Sequence, residues 1–195
     1  MSDLISTIEN VFESIMSNVH TALPGTIVSY DPATNRAVIR PTLPKRLADG
    51  RELPAPDVIS VPMVWPTSGG ATITMPVAAG DGVLLHFSSR SLDGWLAGET
   101  SSPDDPRMFD LSDAIATPGL SASRPAVHAE NLVISFGGAS ISITPGGEII
   151  LHAVKITTDS PIESTSTIKA QGVGLTTHRH GGVMSGGSNT GGPTG

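Results

Sequence analysis

The chain has 195 residues, of which 15% are charged and 4% aromatic, with 22 Gly, 16 Pro and no Cys. That length allows one or two domains, and the balance suits turn-rich β-structure around a thin aliphatic core. A net charge of −7 with 11 scattered basic residues excludes a general nucleic-acid binder, and the lack of cysteine excludes disulfides and thiolate metal sites.

Residues 3–20 read as a helix, the only convincing one. Asp3 is a candidate cap, and Ser6 with Glu9 has capping-box spacing. Ile5, Ile8, Phe12, Ile15 and Val19 repeat at 3-4-3-4 spacing, an a/d seam about two heptads long. Leu4, Val11 and Met16 widen it. Ile at both a and d favours trimers or larger assemblies over dimers. The simpler expectation is a helix packed on its own domain. No basic segment of the secretory type stands at the N-terminus, and no run of about 18 apolar residues is present to cross a bilayer.

Pro24-Gly25 ends the helical region. Residues 26–30 and 36–40 then read as a hairpin around Asp31–Asn35. Residues 41–57 read as a loop. Val58–Val64 is a β-branched run that Pro62 assigns to an edge or a bulge. Ala71–Met75 alternates, and Val83–Phe87 reads as a buried strand. About five strands in about 70 residues predict a small Greek-key barrel of the OB type. Residues 97–126 are dominated by turn formers and read as a linker.

From residue 127 the pattern changes. Leu132, Ile134 and Phe136 alternate with Val133 and Ser135, and Ile141 and Ile143 alternate with small polar residues. Gly137-Gly138 and Pro145-Gly146-Gly147 are turns. Ile149, Ile150, Leu151, Val154 and Ile156 follow. Strands this short bury no face alone, but stacked or wound with copies of themselves they do.

Two of the six histidines, His178 and His180, stand two residues apart. On an extended strand both imidazoles face one side. Two ligands are too few for a stable site, whereas three chains supply six. Six nitrogens suit iron or nickel better than four-coordinate zinc. Taken alone, such a pair also reads as two exposed loop histidines. His20, His86, His128 and His152 have no partner spacing. Asp104, Asp105, Asp110 and Asp113 read as solvated turn residues rather than a glycosidase pair. No zincin, nucleophile-elbow or phosphate-loop motif is present, so no enzyme activity is expected.

These residues resemble a known family. Leu23-Pro24-Gly25-Thr26-Ile27-Val28-Ser29-Tyr30-Asp31 looks like the start of the N-terminal OB domain of contractile-tail phage baseplate central spike proteins. So do Val61–Pro66, Gly69-Gly70, Pro76-Val77, Gly80-Asp81-Gly82 and Asp93-Gly94-Trp95. Thr177-His178-Arg179-His180-Gly181-Gly182-Val183 resembles the tip motif of the same proteins. The resemblance implies a mainly β homotrimer. It would have an N-terminal helix at residues 1–22, an OB collar at 23–96, a linker at 97–126, an intertwined β-helical prism at 127–175 and a metal-binding apex at 176–195. It implies one iron per trimer, held by His178 and His180 of each chain. The implied role is a needle in the virion tail tip, assembled in the host cytoplasm. It would join the baseplate hub proteins and pierce the host outer membrane as the sheath contracts. Two other readings remain open at this point: an OB-type binding module for a baseplate partner or an oligosaccharide, and a His-dependent metalloenzyme.

Overall fold

The structure, a computed structural model, describes residues 2–47, 49–123, 127–175 and 186. The fold is mainly β, with a helix at the start, and divides into two units, Met1–Ala126 and Val127–Gly195.

In the first unit, α1 covers Ser2–Met16. It starts early enough that Ser6 and Glu9 lie inside it rather than at its cap. It also stops short of Val19. The Ser17 hydroxyl and the Asn18 amide both donate to the Ser14 carbonyl, at 2.8 and 3.2 Å. The amides of Asn18 and Val19 then bond three residues back, to Ile15 and Met16. These side chains take a carbonyl that a continuing helix would use. The seam is therefore four residues, Ile5, Ile8, Phe12 and Ile15. The described side chains of α1 are all exposed, so the helix does not pack on its own unit as expected.

Strands β1 (Ala22–Asp31) and β2 (Arg36–Pro41) form the expected hairpin. Asp31 organises the turn by accepting from Ala33 N and the Thr34 hydroxyl, and Asn35 closes it at φ 54°. A two-residue ladder, β3 (Lys45–Arg46) with β4 (Glu52–Leu53), fills the following loop. β5 (Val58–Pro62) is an edge strand, as Pro62 required, and carries a bulge with Ser60 at φ 58°. Next come the short ladder β6 (Thr67–Ser68) with β7 (Ala71–Thr72), then β8 (Gly82–Phe87), the one-turn helix α2 (Asp93–Leu96) and β9 (Ala114–Pro118).

The main sheet runs β5-β2-β1-β8-β9, with antiparallel neighbours. Its two edges meet through a parallel bridge between Met63 and Ala116, and Val64 N donates to Ala116 O at 2.8 Å. The sheet thereby curls into a partly open barrel, the arrangement expected of an OB fold. Inside lie Ile27, Ile39, Val61, Val83 and Leu85, with Ala37, Ala114 and Ala116 where the walls come close.

Two expectations change here. The fifth barrel strand is Ala114–Pro118, inside the stretch read as linker. Its small alternating alanines suit a narrow closure, yet they are masked in the sequence by surrounding turn formers. Conversely, Ala71–Met75 pairs only at Ala71–Thr72, and Ile73 and Met75 are exposed.

Glycines permit the close approaches. A Cβ on Gly25 would lie 2.6 Å from Ile39 Cγ2. One on Gly82 would lie 1.9 Å from the Leu120 carbonyl oxygen, which is backbone and has no rotamer to yield.

In the second unit, β10 (Leu132–Phe136), β11 (Ala139–Ile143) and β12 (Ile149–His152) form an antiparallel meander. The turn at Pro145–Gly147 is closed by Gly147 N donating to Thr144 O at 2.9 Å. A two-residue ladder, β13 (Lys169–Ala170) with β14 (Val173–Gly174), follows.

Gly82→Ala is expected to cost about 1–3 kcal/mol, the usual penalty of overpacking. Urea denaturation checks it: the midpoint should fall at constant slope. An unchanged midpoint would show that the 119–121 backbone yields freely.

Candidate functional site

The registers of the meander decide which residues share a face. Leu132 lies opposite Ile143, Ile134 opposite Ile141 and Phe136 opposite Ala139. Ile141 in turn lies opposite Leu151, and Ile143 opposite Ile149. Directly opposed residues project to the same side. One face is thus wholly apolar: Leu132, Ile134, Phe136, Ala139, Ile141, Ile143, Ile149 and Leu151. The other carries Ser135, Ser140, Ser142 and His152 with Val133 and Ile150.

Among the described residues of the second unit, nothing covers that apolar face. Phe136 is 75% exposed, Ile134 63% and Ile149 64%. Ile134, Phe136, Ile141, Leu151 and Ile156 line an open groove across it. Full burial of each such side chain contributes about 1.5–3 kcal/mol. A soluble monomer would forgo all of it, and an uncovered patch of this kind marks an interaction surface.

The histidines do not converge. His20 packs its ring on Phe87, with centroids 5.6 Å apart. His86 is half-buried on β8, opposite Ala22 and Ile115. The His128 Nδ1 accepts from Glu130 N and Asn131 N, and His152 sits on the polar face of β12. Among the described residues, no group of three or more His, Asp or Glu is placed to hold a metal. His178 and His180, the expected iron ligands, lie outside the described residues.

The carboxylates differ from expectation. Asp113 is not solvated: its side chain is 1% exposed. Arg107 donates from Nε and Nη2 to its two oxygens, at 2.6 and 3.0 Å, and Leu92 N donates to Oδ1 at 2.8 Å. Arg107 also binds Asp93 and Asp105, each at 2.6 Å. These contacts, Asp113 foremost, raise the guanidinium's pKa further above its already high range. Asp105 is held below the usual carboxylate range, first by the Arg107 backbone N–H and then by its guanidinium. Asp110 is lowered by the Ser112 hydroxyl and then by Ser112 N. Both therefore add stability above their unfolded pKa that is lost as pH falls through the folded value. The cluster is a clamp that holds the α2 excursion against the start of β9. One sequence signal pointed to it, since Arg107 is the sole basic residue between 97 and 123, set among four aspartates.

A family model described as the phage protein Gp138 N-terminal domain matches residues 23–119. A second, the GpV apex motif, matches residues 172–194. The chain is a phage baseplate spike-type protein. No curated protein matches it. The first match ends one residue after β9, so it takes in the barrel sheet from the second residue of β1 onward, including the strand expected to be a linker. The second includes His178 and His180. Membership of these families assigns the spike-type protein to the virion tail and baseplate. Among the described residues, no helix is long and apolar enough to cross a membrane.

In the spike-type protein, Arg107→Ala strands a buried carboxylate and should cost about 3 kcal/mol or more. Asp93→Ala removes an exposed partner and should cost less than about 1 kcal/mol. Equal urea-midpoint losses for the two would contradict the clamp.

Proposed function

We propose that the chain is a homotrimeric, membrane-piercing spike whose Val127–Gly195 segment is wound from three copies. The observation that carries this reading is the apolar face of β10–β12, which one chain leaves open and copies of the same face would bury. A narrow shaft built from three chains also accounts for a low aromatic content and for stability without disulfides. Piercing is mechanical and calls for stiffness rather than an active site, so the proposed role is structural. The partners it implies are two further copies of the chain, the baseplate hub proteins and, by contact alone, the host outer membrane.

At the apex, His178 and His180 of each chain would hold one iron. The donor set fits: imidazole nitrogen is a suitable iron ligand, and three pairs fill six positions where zinc would take four. Such a metal supplies a cross-link between the three chains. Ligand imidazoles must be neutral, so the site should empty as pH falls through the histidine range.

Two outcomes are expected. Ile141→Glu, at the centre of the apolar face, should make the trimer dissociate on dilution while the barrel still melts cooperatively. An Ile141→Glu trimer as resistant to dilution as the unmodified protein, by light scattering, would contradict the reading. Elemental analysis of the purified protein should give about one iron per three chains, and His178→Ala with His180→Ala should remove it. No metal, or one per chain, would overturn the apex assignment.

A further inference from the structure

Resting on the trimer reading, we infer that α1 is a second, separate assembly element: three copies of Ser2–Met16 associate in parallel as a short helical bundle. The helix has 15 residues, a length that is marginal in water without a partner. Its apolar side chains form one stripe, centred on Ile5, Ile8, Phe12 and Ile15, and all of them are exposed, Phe12 by 63%.

The charge pattern selects the occupant. Surface helices that bind anionic membranes carry Lys and Arg on the polar face, whereas α1 has no basic residue and carries Asp3, Glu9 and Glu13. With Ile5 and Phe12 at a, and Ile8 and Ile15 at d, Glu13 falls at b, on the outside. Glu9 and Met16 fall at e, and Leu4 and Val11 at g. In a parallel bundle each e position faces a g position of the neighbour. Glu9 therefore meets Leu4, never another acid, and no like-charge pair opposes self-association. Ile5 at a, with Ile8 and Ile15 at d, favours three strands over two.

The base of α1 is held to the barrel unit. The Lys45 ammonium donates to the Ser17 hydroxyl at 3.0 Å and to Asn18 Oδ1 at 3.3 Å, and His20 N donates to Phe109 O at 3.3 Å. Each copy of the helix therefore leaves its own barrel from the same point.

Cysteine scanning of the full chain tests this on a background free of native thiols. Ile8→Cys and Ile15→Cys place a thiol in the seam, and Asn10→Cys places one at f, on the outside. Under mild oxidation both seam variants should form covalent dimers several-fold faster than Asn10→Cys. A trimer by mass whose three variants cross-link equally slowly or equally fast overturns the bundle and leaves the spike reading standing. In that case α1 covers its stripe with some other partner. A monomer by mass overturns both.

Discussion

The structure depends on one imbalance: a three-stranded meander with eight residues on one face, all of them apolar, and no layer among the described residues of its unit to lie against it. A sheet needs a second layer over its hydrophobic face. Among the described residues, the segments around β10–β12 supply none, and the opposite face carries the half-buried Ser140 and Ser142 beside Val133 and Ile150. The proposed self-association would supply a missing layer of the same size and chemistry as the exposed one.

The first unit shows what a self-sufficient part of this chain looks like. Its sheet closes on itself through Met63 and Ala116, buries Ile39, Val83 and Leu85 completely and satisfies the one buried carboxylate with Arg107. Asn35 ties that closure together. Its side-chain oxygen accepts from Tyr30 Oη and Trp65 Nε1, and its amide donates to Met63 O at 2.8 Å. The division of labour follows: one unit folds on its own contacts, while the other and the N-terminal helix present apolar surface outward.

Much of this was legible in the residue pattern. The hairpin, the edge strand with Pro62, the buried Val83–Phe87 strand and the alternation at 132–143 all announce themselves through period-two spacing between glycine and proline turns. What stayed hidden has a common cause. Ala114–Pro118 is a strand because Met63 and β8 need a thin neighbour, and that need is tertiary. Asp113 looks like any turn aspartate until Arg107 folds over it. The end of α1 turns on whether Ser17 and Asn18 reach back to the Ser14 carbonyl, a local competition that periodicity does not register. The expected iron ligands His178 and His180 were read from spacing and resemblance alone, and the apex match encloses them.

The central claim is that one chain cannot cover β10–β12 and three can. Sedimentation equilibrium of the unmodified full-length protein tests it most directly. The account predicts a single species of three times the 20.0 kDa chain mass, persisting on dilution because each copy's apolar face is buried by the others. A monodisperse monomer that stays soluble with that face exposed would contradict it.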